Sequence, residues 1–422
     1  MRRQGPHPVR FAILILPFGG AYGVVSQALA VLATQAGIPE ATFGAVIAST
    51  YIVHTLKTLW APIVDTTLTR KTWYLISIVL TAFGVVASMA MPLTIAGLGA
   101  LTAVILVSQL GLTLMGMACE GFLGLAVPDD EKGRASGWYT AAQFVGIGLG
   151  GWFILKLSDW LTARWLAGAV FGALMFPCAL ALIGLDVPTS AEHPPRLGAA
   201  LRQLGRDLLG LVKSRFSLTG LVISLTPVGA GAMQGLFPTT AGSWGINADY
   251  RLQLFGMTLD SHDVIGLFNG FVGAVLSAGG ALLGGWLADR MPRRLAYAGA
   301  GLTMALTAIA MALAPREPWA WVVFASIYNF FAGLALAAFT SFVLEVIGKG
   351  AVATKYNLFA MCANFAIAYT TGLDSYALDR SGSSGMLLTD AGLTLAGCAL
   401  LVAIFVMLRK PPAPAEPRSP AA

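Results

Sequence analysis

The sequence is dominated by apolar runs, each long enough to cross a lipid bilayer as a helix. A window of about 19 residues finds twelve of them. They lie near residues 11–33, 41–63, 73–91, 98–127, 135–155, 164–185, 217–240, 263–287, 295–314, 319–346, 353–377 and 387–408. Only 11% of the residues are charged, whereas a soluble domain carries about 25%. The sequence therefore predicts an all-α integral membrane protein with twelve transmembrane helices.

Motifs for cofactors and metals are absent from the sequence. The glycine-rich segment "GIGLGG" (146–151) lies inside an apolar run with no strand before it, so it predicts close helix packing and not a dinucleotide loop. There is no Walker loop and no cluster of metal ligands. The four cysteines lie in apolar stretches without a CxxC spacing. We therefore expect no cofactor, no metal and no nucleic-acid partner.

The distribution of Lys and Arg predicts the orientation. If the N-terminus is cytoplasmic, twenty basic residues lie on the cytoplasmic side and five on the opposite side, with Lys57 left inside a helix. Cytoplasmic loops of membrane proteins carry the excess of Lys and Arg. Both termini are therefore predicted to be cytoplasmic.

Similar segments recur in the two halves of the chain. Asp65 and Asp289 each end an apolar run and lie 224 residues apart, and "ASGWY" (135–139) is followed 218 residues later by "ATKYN" (353–357). Such spacing is typical of a duplicated six-helix unit, in which the solute site lies near the midplane between the halves.

The repeat predicts four regions of the chain. They are an N-terminal six-helix bundle (1–187), a cytoplasmic linker with an amphipathic helix (188–215), a C-terminal six-helix bundle (216–410) and a disordered cytoplasmic tail (411–422).

The segment "GGWLADRMPRR" (284–294) contains the sharpest motif. Gly285 is followed four residues later by Asp289, and then by Arg290, Arg293 and Arg294. A carboxylate at a helix end can contact an arginine cluster or the positive N-terminus of a neighbouring helix. The motif thus predicts a charge latch that one conformation closes. In the first half, Asp65 with Arg70 and Lys71 is a degenerate copy, since Ala61 stands where the glycine would be.

This motif resembles the loop motif of the major facilitator superfamily. Within that superfamily, the first half is similar to the branch of the muropeptide permease AmpG, the acetyl-CoA transporters and some siderophore importers. The resemblance lies in "YGVVSQALAVLATQAGI" (22–38) and "KTLWAPIVD" (57–65), with weaker support from "ATKYNLFA" (353–360). It implies two pseudo-symmetric six-helix bundles in a bacterial inner membrane. It also implies import of an organic, anionic solute such as a muropeptide, siderophore or CoA-type metabolite, coupled to protons.

Charged residues inside apolar runs are costly, so they usually have a partner or a function. His54 and Lys57 fall on one face of the second run, and Gln109 and Glu120 share a face of the fourth. Lys57 either faces a cavity or snorkels to the membrane surface. If it faces the cavity, it binds an anionic group of the solute or pairs with Glu120.

Other polar side chains at membrane depth are candidates for solute or coupling contacts, or alternatively for hydrogen bonds between helices. They are Gln27, Gln143, Gln234, Asn329, Asn364 and Asp374. We expect a monomeric, non-enzymatic symporter. The alternatives are efflux by the same fold and, from other classes, a transporter-like receptor or an intramembrane enzyme.

Overall fold

The computed structural model describes residues 5–185, 215–254, 256–347 and 352–408, together with isolated positions between 198 and 213. The first half contains six helices, numbered here in chain order. They are α1 (Val9–Gln35), α2 (Glu40–Leu56, continued by Lys57–Leu59 and Ala61–Thr66), α3 (Arg70–Ala90), α4 (Leu98–Ala126), α5 (Lys132–Trp160) and α6 (Arg164–Met175, continued by Phe176–Leu182).

The second half repeats this pattern. Its helices are α7 (Arg215–Ser224, continued by Ala232–Gly235, Phe237–Thr240 and Ala241–Trp244), α8 (Ser261–Ala288), α9 (Arg293–Leu313) and α10 (Pro318–Val346), followed by α11 and α12, which together form Val352–Leu408 and meet at Gly382. Gly382 has φ 67°, in the left-handed region that glycine adopts without strain. The predicted twelve-helix fold class is confirmed.

Nine continuous helices among the described residues are long and apolar enough to cross a membrane, and one of them contains both α11 and α12. The remaining two spans, α2 and α7, are interrupted. In α2 the α-helix changes to a 3₁₀ turn at Lys57–Leu59. Pro62 follows, and it has no N–H to donate to the helix. In α7 the helix stops before Pro227, and Gly229 and Gly231 have positive φ. The predicted spans 41–63 and 217–240 are both present, but neither forms one continuous α-helix.

A short hairpin joins α7 to α8. Strand β1 (Leu252–Leu254) pairs antiparallel with β2 (Met257–Leu259), with Leu252 opposite Leu259. We call this end of the molecule the hairpin end. The opposite end, where α5 and α11 begin, is the latch end.

Within each half, long helices pack side by side. In the first half α1 packs on α5, and α3 packs on α4 and α6; in the second half α8 and α9 both pack on α10. The two halves meet mainly where α5 crosses α8. There Gly285 lies against the backbone of Gly133 and Gly137, so a β-carbon at this position would collide with the main chain. This close contact lies at the latch end and holds the halves together there.

Some of the predicted regions cannot be compared with the structure. In the linker, the described positions Gly198, Arg202, Gly205, Arg206, Leu209, Gly210 and Lys213 are helical and exposed. The rest of the linker and the tail (411–422) lie outside the described residues. The boundaries of the four regions therefore stay predictions.

The topology can be tested by cysteine labelling in a cysteine-free background. Ala248 and Ser381 are exposed at the hairpin end, and Leu68 is exposed in the loop between α2 and α3 at the latch end. Because the basic loops lie at the latch end, we expect Ala248→Cys and Ser381→Cys to react with a membrane-impermeant maleimide in intact cells. Leu68→Cys should react only after permeabilisation. Labelling of Leu68→Cys in intact cells would show that the orientation is reversed.

Candidate functional site

A central cavity of about 360 Å³ lies between the two halves. Its wall contains aromatic and amide side chains from both halves. The lining includes Phe18, Tyr22, Tyr51, His54, Lys57, Glu120, Tyr139, Gln143, Gln234, Tyr297, Phe339, Tyr356 and Asn364. The volume falls within the range of about 300–1,000 Å³ that is usual for small-molecule sites. The cavity is therefore the candidate binding site.

The floor of the cavity contains an ion pair. Lys57 Nζ lies 3.4 Å from Glu120 Oε1, and the two side chains are 12% and 5% exposed. Lys57 stands on the 3₁₀ turn that interrupts α2, which directs its side chain into the cavity and towards α4. Lys57 therefore faces the cavity and does not snorkel to the membrane surface.

The second half of the protein completes this floor. Asn357, on α11, donates a hydrogen bond of 3.1 Å to Glu120 Oε2 and one of 2.7 Å to the carbonyl of Ala353. Glu120 is thus held by an ammonium from its own half and an amide from the other half. Because a buried carboxylate without partners is costly, loss of either contact changes the balance between its charged and neutral forms.

His54 forms the wall above this pair. Its Nε2 lies 2.8 Å from Oε1 of Gln109, so this nitrogen carries the proton if the amide is oriented as in the structure. The rings of Phe18 and Tyr22 both meet the imidazole edge-on, with centroids 5.9 Å away. Gln109 is fully buried behind His54 and does not line the cavity.

The other predicted candidates divide into two groups. Gln143, Gln234 and Asn364 line the cavity. Asn329 is buried behind Gln234, whose Nε2 donates to Asn329 Oδ1 over 2.6 Å. Gln234 of α7 therefore lines the cavity and also forms a hydrogen bond to α10.

Two candidates lie away from the cavity. The Gln27 side chain packs against Gly151 of α5. Asp374 is completely buried in the second half, beside Asp390 of α12.

Two polar residues of the structure were missed by the sequence analysis. Asn357 belongs to the quoted segment "ATKYN", but its amide was not recognised as a partner of Glu120. Asp390 is an isolated carboxyl inside an apolar run, which is itself a signal for a functional or paired group.

At the latch end, Asp289 binds the first turn of α5. Its carboxylate accepts hydrogen bonds from the backbone N–H groups of Gly133 (2.7 Å) and Arg134 (2.8 Å), and Arg134 Nε lies 3.3 Å away. The first N–H groups of a helix have no partner within the helix, and the helix dipole is positive there. A carboxylate of one half thus caps a helix of the other half.

Asp65 makes the equivalent contacts with α11. It accepts from the backbone of Ala353 (3.3 Å) and Thr354 (2.7 Å), from the Thr354 hydroxyl (2.8 Å) and from Arg70 (2.9 Å). The motif that is degenerate in sequence therefore makes the larger set of contacts. Asp65 and Asp289 occupy equivalent positions of a pseudo-two-fold arrangement.

The three arginines after Asp289 have different neighbours. Arg290 stacks on the indole of Trp286, 3.9 Å from its centroid, and donates to the Trp286 carbonyl. Of the two kinds of partner predicted for Asp289, an arginine of this cluster or a helix N-terminus, the structure has the helix N-terminus. Arg293 pairs with Glu345 at 3.6 Å and donates to the carbonyl of Asp129 in the first half. Arg294 lies near Glu345.

The twelve helices, divided into two halves around a central cavity and joined by symmetric contacts at one end, define the class: this is the architecture of a secondary active membrane transporter. The sequence matches the family model described as Major Facilitator Superfamily over residues 11–371 and 261–422. The chain belongs to this superfamily, and the predicted membership is confirmed at that level.

Solved structures share the fold at low sequence identity. A variant of the E. coli fucose:proton symporter FucP is similar with a TM-score of 0.70 and 14% identity, over 94% of this chain and 98% of that chain. FucP in the outward conformation gives 0.66, with 14% identity over 93% and 98%. The proton:xylose symporter XylE bound to 6-bromo-6-deoxy-D-glucose gives 0.61, with 15% identity over 94% of both chains. None of the curated proteins matches the chain.

The latch contacts generate a prediction about conformation. Asp289→Asn keeps the size of the side chain but removes the charge that caps α5. Hydrogen bonds to a charged group contribute about 1.5–3 kcal/mol each, so we expect the closed latch end to lose roughly tenfold to a hundredfold in population. Spin labels at Leu68 and Met291, both exposed and in different halves, should report longer distances in this variant.

Arg290→Gln is the matched control, because it changes a charge in the same loop without touching Asp289. Its distance distribution should equal that of the wild type. If Asp289→Asn also leaves the distribution unchanged, the carboxylate does not hold the latch end closed.

Proposed function

We propose that this protein is a proton-coupled importer of an organic anion in a bacterial inner membrane, with both termini in the cytoplasm. It works as a monomer, in which the two halves alternately close the latch end and the hairpin end. The observation that carries this proposal is the floor of the cavity. There a carboxylate, an ammonium and an amide from both halves meet at the solute site.

The charges of the floor favour an anionic solute. Lys57 and Glu120 are the cation and the carboxylate among the described residues that line the cavity. While they are paired, the cavity is close to neutral. A carboxylate or phosphate of the solute competes with Glu120 for the ammonium. Once its partner is taken, Glu120 is a buried carboxyl group whose neutral form is favoured by desolvation, so it binds a proton.

The aromatic wall suggests what else the solute carries. Tyr22, Tyr51, Tyr139, Tyr297 and Tyr356 present rings with a polar tip, and Gln143, Gln234 and Asn364 provide amide donors and acceptors. Such a wall suits a molecule with an apolar or sugar-like ring and several polar groups. Muropeptides, siderophores and CoA-type metabolites have anionic groups in addition to such parts.

The resemblance to the AmpG-like branch supports this solute class at specific positions. The segment "KTLWAPIVD" begins with Lys57 of the cavity floor and ends with Asp65 of the latch. Trp60, in the same segment, donates to the Thr113 hydroxyl of α4 over 3.1 Å. In this segment, the residues that carry the resemblance include one that builds the floor and one that forms a latch.

The coupling role of the pair can be tested by transport in proteoliposomes. A solute is first found by screening muropeptides, ferric siderophores and CoA-type anions for an increase in melting temperature, since a ligand that binds the folded state stabilises it. Glu120→Gln should abolish accumulation driven by an imposed pH gradient and retain exchange of solute down its own gradient. If Glu120→Gln still accumulates solute in response to the pH gradient, Glu120 is not the coupling residue.

Lys57→Ala should weaken solute binding by roughly 10- to 100-fold, because a charge-assisted hydrogen bond contributes about 1.5–3 kcal/mol. It also leaves Glu120 without its ammonium, so the double variant should be less impaired than the sum of the two single defects. Binding is measured by calorimetry. Glu317→Gln, at an exposed carboxylate outside the cavity, should behave as wild type. Equal binding by wild type and Lys57→Ala would contradict an anion site at this lysine.

A further inference from the structure

The second half contains a pair of buried carboxyl groups that the cavity does not use. Asp374 lies on α11 and Asp390 on α12, each eight residues from Gly382, where the two helices meet. Their side chains are neighbours, and the residues are 0% and 1% exposed. At about 1.5 Å per residue, both lie roughly 12 Å below the hairpin end.

One of the two carboxyls has a neutral donor, and the other has no hydrogen-bond partner in the described structure. Tyr328 of α10, itself buried, donates its hydroxyl to Asp390 Oδ2 over 3.1 Å. Both oxygens of Asp374 are buried and without a hydrogen-bond partner. A fully buried polar group normally has partners, so these two oxygens, on a carboxyl group that interacts with Asp390, indicate a bound ligand.

No basic side chain neutralises the pair within the part of the chain that the structure describes. Neither carboxylate has a Lys, Arg or His nitrogen within 4.0 Å. The arginines of the hairpin end have other contacts. Arg316 stacks on Trp244 and donates to Ser384, and Arg380 lies over the ring of Tyr376. Among the described residues, the titratable groups that interact with the pair are thus Tyr328 and the two carboxyls themselves.

Two adjacent carboxylates cannot both be ionised at low cost when they are buried. Desolvation and mutual repulsion both favour a state in which the pair keeps at least one proton, shared between the groups. One hydrogen between Asp374 and Asp390 would also provide the missing partner of Asp374.

The pair is connected to the cavity through α10. Tyr328 contacts Asp390, and its ring meets Phe237 of the interrupted α7 edge-on, at 5.4 Å. The next residue, Asn329, accepts a hydrogen bond from Gln234 of the cavity wall. A change of charge at the pair therefore acts on the contact between α10 and the broken segment of α7.

We propose that Asp374 and Asp390 form a second proton-binding site, separate from the Lys57–Glu120 pair and reached from the hairpin end. The site takes up and releases one proton without any covalent step, and its occupancy biases the packing of α7 on α10. The role of this site in transport rests on the proposed proton coupling. The binding of a proton at the site is independent of that proposal.

The test measures protons directly, in purified protein without solute or gradient, so its result is independent of the transport assays. Infrared difference spectra taken between acidic and alkaline pH should show the C=O band of a buried protonated carboxyl in wild type. Asp374→Asn and Asp390→Asn should each lose this band, and Asp374→Asn should release one proton fewer per molecule in a dye titration. Glu120→Gln should retain the band, and so should Asp159→Asn, at an aspartate that is exposed at the hairpin end.

Tyr328→Phe provides a variant that preserves the ring packing if the Asp variants fail to fold. It removes the donor to Asp390, so the band should remain with an altered frequency, and the pH at which it disappears should change. If this variant has the wild-type band and titration, the pair is not the protonated group.

The same spectra in sodium, potassium and choline buffers distinguish a proton from a metal cation. A band that is independent of the cation supports the proposal. Loss of the band in sodium alone would overturn it in favour of a sodium site. A band unchanged in both Asp variants would overturn it altogether.

Discussion

The arrangement of the two halves depends on two carboxylates that cap helices across the interface. Asp289 of α8 binds the start of α5, and Asp65 of α2 binds the start of α11. A helix start offers unsatisfied N–H groups and a positive dipole end, and a carboxylate satisfies both. An arginine adds an ion pair at each cap, Arg70 at Asp65 and Arg134 at Asp289. Each cap joins one carboxylate of one half to one helix start of the other half. It can therefore be formed and broken as a unit when the halves rotate, unlike an apolar interface with interlocking side chains.

Glycine packing complements these caps. At the crossing of α5 and α8, Gly133, Gly137 and Gly285 allow the two main chains to touch next to Asp289. Close approach brings the N–H groups of Gly133 and Arg134 within hydrogen-bond distance of the carboxylate. A larger side chain at Gly285 would hold the halves apart and lengthen these bonds. The spacing of the motif, with its glycine four residues before the aspartate, thus has a structural reason: both residues lie on the same face of α8.

The features that were predicted best from the sequence are those that depend on a local pattern of residues. The twelve spans follow from run length, and the capping role of Asp289 follows from an acid placed at a helix end. The interruptions of α2 and α7 were missed because a window of 19 residues averages over a turn such as Lys57–Leu59. Asn357 was missed because its importance comes from a partner 237 residues away. Asp390 has a sequence signal, an isolated carboxyl inside an apolar run, but its partner Tyr328 lies 62 residues away. The sequence left open whether Asp289 binds the arginine cluster or a helix N-terminus, because it does not show that Arg290 stacks on Trp286.

The first turns of α11 join the latch to the cavity floor. Asp65 binds the N–H groups of Ala353 and Thr354, and one turn later Asn357 binds both Glu120 and the Ala353 carbonyl. Movement of α11 away from the first half must therefore break the Asp65 cap and the Asn357–Glu120 bond together. Conversely, a proton on Glu120 weakens the bond from Asn357, because a neutral carboxyl is a poorer acceptor than a carboxylate. In the proposed mechanism, a change of charge on Glu120 therefore acts, through the first turns of α11, on the contact that keeps the latch end closed.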